Sequence, residues 1–228
     1  MTDSRLVATP HGDARLVGDR SRHPVATLLL GHGAGGGVEA PDLEALASAL
    51  PRHGVSVVRV EQPWRVAGGR LAPRPQVLDE CFVAAADHLR VRTPLVVGGR
   101  SAGARSAART ARDLGASALV ALAFPLHPPG RPERSRLAER EAVTLPTLVV
   151  QGERDSFGRP DEFPPDRDLA VVPGADHGVR GPRRGLVSAD EAMAIIVEAV
   201  LEFVVRDVVG ATAGRGGNRT PPLRVGRK

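Results

Sequence analysis

Tyrosine is absent from this 228-residue chain, tryptophan and cysteine occur once each, and lysine occurs only as Lys228. Each shortage excludes something. A single cysteine rules out a disulfide framework and a cysteine-rich zinc site. Cys81 lies in the helix-like run LDECFVAAADHL and is read as a buried structural thiol. With 5 phenylalanines and 1 tryptophan, the chain has too few rings for a base-stacking surface. No apolar run approaches the ~18 residues that span a membrane. The opening MTDSRLVATPHGDARL has no apolar core of the secretory kind. The expectation is a cytoplasmic protein without membrane or nucleic-acid partners, and the sequence leaves its oligomeric state open.

Charge first suggests otherwise, because the formal net value is +5. Beyond Val209, however, five basic residues (Arg215, Arg219, Arg224, Arg227 and Lys228) stand without one acid, and the body carries 26 basic against 26 acidic residues. The basic excess is therefore confined to residues 210–228, where no apolar periodicity exists, and this segment is read as a disordered, passive tail. Residues 1–209 have the length of a single α/β domain.

Within that body, short apolar runs alternate with amphipathic stretches. VATLLL (25–30), VSVVRV (55–60), LVVGG (95–99), ALVALAF (118–124), LPTLVVQG (145–152) and DLAVVPG (168–174) read as strands. The run with apolar Leu43, Leu46, Ala47 and Leu50, together with 77–89, 101–114 and 189–205, reads as helices. RLVA and ARLV, either side of Pro10–Asp13, suggest an antiparallel hairpin. Alternation of this kind predicts a three-layer α/β/α sandwich around a mostly parallel, doubly wound sheet. Only about twenty residues, PLHPPGRPERSRLAEREAVTL, lie between the strand ALVALAF and the strand TLVVQ, too few for a lid domain.

The chemistry-bearing residues fall at strand ends. Gly99-Arg100-Ser101-Ala102-Gly103 has the G-x-S-x-G pattern of a nucleophile elbow, a turn so sharp that glycines must flank the exposed serine. Such a serine needs a base, and the base needs an acid to hold its tautomer. Asp155 follows the strand LVVQG and His177 follows DLAVVPG, in the order Ser, Asp, His. Asp176 is a rival acid, read as a helper or cap. His127 precedes the acid and is read as a solvated loop residue. After VATLLL comes Gly31-His32-Gly33-Ala34-Gly35-Gly36-Gly37, where glycines leave a backbone N–H free to meet an oxyanion. The same loop also fits a dinucleotide fingerprint, Gly31-x-Gly33-x-x-Gly36, with Glu61 as the ribose acid. That alternative puts His32 inside the tightest turn.

The stretches LLLGHGAGGG, EQPWRVAGGR, VVGGRSAGAR, FPLHPPGRPER, LVVQGERDSFG and VPGADHGV together resemble the α/β-hydrolase superfamily, in a small dienelactone-hydrolase-like branch without a lid. The resemblance implies Ser101 as nucleophile, Asp155 as acid, His177 as base, and the N–H groups of Ala34 and Ala102 as the oxyanion hole. It implies a serine hydrolase of carboxylesterase type, acting on a small or exposed ester, thioester or lactone through an acyl-enzyme, with no cofactor or metal. Trp64 and Arg65 are expected at the mouth of the site. Arg100, an uncommon residue before such a serine, is expected to pair with a buried acid such as Glu61 or else to attract an anionic substrate. A catalytically silent scaffold with the same fold is the other alternative.

Overall fold

Every position of the run Ala26–Gly31 is buried, as a strand must be when helices cover both faces of its sheet. In the computed structural model, which describes residues 2–165, 168–179 and 187–211, this run is the third of eight strands. The chain opens with an antiparallel hairpin, β1 (Thr2–Thr9) and β2 (Gly12–Asp19), then β3 (Ala26–Gly31), α1 (Pro41–Ala49), β4 (Val55–Glu61), α2 (Pro63–Val66) and α3 (Pro75–Asp87). There follow β5 (Leu95–Arg100), α4 (Ala102–Thr110), β6 (Ala118–Leu122), α5 (Leu137–Glu141), β7 (Thr147–Gly152), β8 (Leu169–Val172) and α6 (Ala189–Phe203).

The strands lie in the order β1-β2-β4-β3-β5-β6-β7-β8. β2 is antiparallel to both β1 and β4, while β4, β3, β5, β6, β7 and β8 are mutually parallel. Side-chain alternation divides the core into two layers. Leu28 and Leu30 join Val57, Val96, Val120 and Val150 under α1 and α6, while Leu29 joins Val58, Val97 and Leu119 under α3 and α4. Each fully buried leucine stabilises the fold by about 1.5–3 kcal/mol relative to an exposed one. The expected three-layer sandwich is present.

The helices end where local chemistry stops them. α6 starts at a capping box in which Ser188 Oγ accepts from the Glu191 N–H and Glu191 accepts from the Ser188 N–H. α4 stops at Thr110, four residues short of the sequence reading, because the chain turns over Gly115, which holds a φ of +59°. β6 likewise stops at Leu122 because Ala123 takes a φ of +46°. Between β6 and β7 the chain forms a short 3₁₀ turn and the five-residue α5, so among the described residues no lid domain covers the strand ends. Arg109 ties the nearby helices together, donating to both Asp79 oxygens of α3 at 2.7 and 2.8 Å and to Glu139 of α5 at 3.0 Å. Burial acts to raise the Glu139 pKa, but Arg105 and Arg109 together hold it below its usual value.

The proposed tail, 210–228, lies outside the described residues except for Gly210 and Ala211. Cys81 is buried as expected. The order of the parallel strands reverses at β3: the chain steps to β4 on one side, then crosses to β5 on the other. At such a point the loops after two adjacent strands leave in opposite directions, and a crevice opens at their carboxyl ends. The loops in question are Gly31–Gly37 and the turn at Ser101.

Candidate active site

Ser101 forms the one-residue junction between β5 and α4, with φ 51° and ψ −110°. A side chain at this φ is strained by about 1–3 kcal/mol, and the surrounding contacts must hold it there. They do so by close approach. A Cβ added to Gly103 would sit 2.3 Å from the Gly31 oxygen, so only glycine lets α4 start against the end of β3. The Ser101 N–H donates to the Leu122 carbonyl at 2.9 Å. This anchors the strained turn to β6.

Two more loops meet this turn. Gly152 ends β7, and a Cβ there would lie 2.6 Å from the Ala175 oxygen; the loop after β8 crosses directly over it. The Arg154 N–H donates to that same Ala175 oxygen at 2.8 Å, which locks the two loops together. Asp155 and His177 are thereby brought side by side. His177 Nδ1 lies 2.8 Å from Asp155 Oδ2, and His177 Nε2 lies 2.9 Å from Ser101 Oγ. The protons can be assigned from the partners. Asp155 already accepts from Gln151 Nε2 at 2.9 Å and from the Phe157 N–H at 2.8 Å, the pattern of a carboxylate that only accepts. The proton between it and His177 therefore sits on Nδ1, and Nε2 is left to accept from the Ser101 hydroxyl.

Asp155 is 0 % exposed, so the acid end of this chain of bonds is shielded from water, while Ser101 and His177 face the cleft. Phe157 stacks on the His177 ring at 4.1 Å, and the Arg100 guanidinium donates to the His177 carbonyl at 2.6 Å. Arg100 is the partner of a buried acid, but that acid is Asp42 of α1, 3.5 Å away. Glu61 instead pairs with Arg15 at 2.9 Å, which corrects the expected pairing. The reason is reach: Glu61 ends β4 beside β2, and β3 lies between it and Arg100 at the end of β5. Burial pushes the Asp42 carboxyl up, against the opposing pull of Arg100.

His127 is also not the solvated residue expected. It is buried, and its Nδ1 bonds the Pro128 carbonyl at 2.9 Å while Nε2 meets Glu162 at 2.8 Å. The Pro128 carbonyl and Glu162 raise its pKa against partial desolvation. With both nitrogens occupied it clips the loop after β6 to the loop carrying Asp155. Asp176 is exposed, and it is Asp155 that meets the His177 ring.

Ala34 is exposed in the glycine loop, and Ala102 is the first residue of α4, where N–H groups lack partners within the helix. Gly33, Ala34, Arg100, Ser101, Phe157 and His177 line an open cleft of ≈660 Å³. Arg65 sits near it, paired at 3.8 Å with Glu39, another residue of the cleft wall. Trp64 lines a smaller cavity that shares Gly33 and Ala34 with the cleft. His32 is buried; its Nε2 accepts from the Gln62 N–H at 3.1 Å, so Nδ1 carries the proton and donates to the Gly33 carbonyl at 2.8 Å. Desolvation lowers its pKa, and the neutral ring braces the glycine loop against β4.

The residues that sequence reasoning missed are Gln151, Phe157 and Asp42. Gln151 was legible only as a polar residue breaking an apolar strand, and Asp42 only as an acid in a helix's first turn. Among the described residues, no cluster of three His, Cys, Asp or Glu side chains could hold a metal. Nor is any described helix long and apolar enough to cross a membrane.

Comparison with known proteins places the fold. Residues 24–205 match the family described as alpha/beta hydrolase domain. A search of curated proteins finds no match. Among solved structures, an alpha/beta serine hydrolase without lid from Xanthomonas campestris superposes with a TM-score of 0.70 at 19% identity, covering 91% of this chain and 95% of that one. Dienelactone hydrolase from Anabaena variabilis gives 0.67 at 16% identity, covering 91% and 98%. Est1E from Butyrivibrio proteoclasticus, with ferulic acid bound, gives 0.67 at 18% identity, covering 89% and 98%. The sheet order and the sequence match agree: this chain belongs to the alpha/beta hydrolase family.

Proposed function

We propose that the chain is a serine hydrolase that cleaves small or exposed esters, thioesters or lactones through an acyl-enzyme. The observation that carries this reading is the unbroken hydrogen-bond chain from Ser101 Oγ through His177 to Asp155. In the proposed reaction the Ser101 oxygen attacks the acyl carbon as its proton passes to His177 Nε2. The imidazolium so formed is stabilised by Asp155, which is buried and negatively charged. The N–H groups of Ala34 and Ala102 receive the oxyanion, assisted by the positive end of α4. His177 then protonates the leaving group, and a water molecule activated by the same ring releases the acid and restores Ser101. Nothing in this sequence of steps calls for a cofactor or metal.

The open cleft supports an exposed acyl group as substrate; in the Butyrivibrio relative the bound molecule is ferulic acid. We further propose residues 1–209 as one domain, a cytoplasmic setting, and small-molecule substrates in place of nucleic acid. The dinucleotide reading has geometry against it. The glycine loop does not open a helix, since α1 begins only at Pro41. The His32 ring is held between the Gly33 carbonyl and the Gln62 N–H, and Glu61 is held by Arg15.

Pre-steady-state hydrolysis of p-nitrophenyl acetate tests the proposal. The expected record is a burst of nitrophenolate close to one equivalent, or turnover at a steady rate if deacylation is fast. Absence of cleavage with ester, thioester and lactone substrates alike would support the silent scaffold instead.

A further inference from the structure

Beside the cleft, sharing Gly33 and Ala34 with it, lies a second and smaller cavity. Its walls are formed by Trp64 of α2, Leu78 and Phe82 of α3, Ala102 and Ser106 of α4, and Gln62. Its volume is ≈10 Å³, about the space one water-sized group occupies. Three residues of this wall each carry a buried polar atom without a hydrogen-bond partner among the described residues: Gln62 Oε1, Trp64 Nε1 and Ser106 Oγ. Gln62 is only 4 % exposed and Ser106 only 1 %. Buried polar atoms are nearly always paired, and three orphans around one small space call for a common partner.

The identity of that partner follows from what each atom can do. Trp64 Nε1 only donates. Gln62 Nε2 donates to the Leu78 carbonyl at 3.1 Å, which leaves the Gln62 oxygen as the acceptor. Ser106 Oγ serves either role. A carboxylate has no hydrogen to offer Gln62, an ammonium has no lone pair to take the Trp64 N–H, and a methyl group satisfies neither. A hydroxyl accepts from Trp64 and donates to Gln62 within the size of one heavy atom. The apolar flanks of Leu78 and Phe82 suit the carbon that bears it, and Ala34 and Ala102 place the cavity next to Ser101 along both the loop and the chain.

We propose that this cavity is a specificity subsite for the hydroxyl of a short hydroxyacyl group carried on Ser101. Its position relative to the acyl carbon rests on the hydrolase reading above; its preference for a hydroxyl rests on the three orphaned atoms alone. A hydroxyl in this place would accept from Trp64 and donate to Gln62 just as a water molecule can.

Glycolyl and propionyl thioesters with one common leaving group form the test, because they differ only by a hydroxyl in place of a methyl. The glycolyl compound should show kcat/KM at least ~10-fold higher, since a site built around a hydroxyl rejects an analogue that lacks it. In Trp64→Phe, and independently in Ser106→Ala, that ratio should fall toward one, whatever the absolute rates. A second readout needs no turnover. Trp64 is the only tryptophan and tyrosine is absent, so intrinsic emission reports on this cavity, and neutral glycolamide should shift it where propionamide does not. Discrimination in emission without hydrolysis of any substrate would keep the subsite and reject the hydrolase reading. Equal rates for the two thioesters, with emission unmoved by either amide, would overturn the subsite.

Discussion

Ser101→Ala should lower kcat/KM for a short activated ester by at least ~10³-fold, about 4 kcal/mol of transition-state stabilisation, while leaving the protein folded. The rate loss follows from removing the hydroxyl oxygen that His177 Nε2 meets, 2.9 Å away. Without it no acyl-enzyme forms, and residual hydrolysis must come from water bound near the oxyanion donors. Folding should survive because the N–H of residue 101 still donates to Leu122, and alanine at φ 51° is strained no more than serine is. Initial rates and a thermal melt on the same preparation separate the two effects. A variant that keeps the parental rate would remove Ser101 from the mechanism.

Asp155→Asn is expected to cost nearly as much in rate, about 10³- to 10⁴-fold, and to destabilise the fold as well. The two Asp155 oxygens accept three N–H groups, from Gln151 and His177 at Oδ2 and from Phe157 at Oδ1. An amide brings two donors of its own and keeps one acceptor. With its NH₂ toward His177 it forces the ring into the wrong tautomer and faces Gln151 donor to donor. With its NH₂ toward Phe157 it leaves a buried N–H unpaired. The orphaned group costs about 1–3 kcal/mol in either orientation, and neither orientation supplies the negative charge that stabilises an imidazolium. Rates measured beside denaturant melts test both halves. A variant within tenfold of the parent in rate would mean that Asp155 merely shapes the loop.

The two predictions draw on features of unequal visibility in the sequence. Strand ends and their order were plain, because a parallel sheet covered on both faces demands unbroken apolar runs such as Ala26–Gly31 and Thr147–Gly152. The same logic located Ser101, Asp155 and His177, each just past such a run. What stayed hidden was lateral packing. Arg100 meets Asp42 across 58 positions of chain, and nothing local distinguishes Asp42 from an acid that favours a helix start. Glu61 looked available until β2 folded back along β4 and brought Arg15 to it. His127 read as a loop residue because the loop carrying Glu162, which covers it, arrives from beyond the next strand. Helix ends were misjudged for a related reason: at Thr110 the Ala- and Arg-rich composition favours continuation, and the turn over Gly115 overrides it.

Labelling with a serine-directed fluorophosphonate, followed by tryptic mapping, tests the central claim most directly, because it reads the activation of one hydroxyl without any assumption about substrate. Arg100 and Arg105 bracket the nucleophile candidate, so trypsin releases it in the five-residue peptide Ser101–Arg105. The account predicts one equivalent of label, all of it on Ser101. An unlabelled protein, or label carried on another serine, would contradict it.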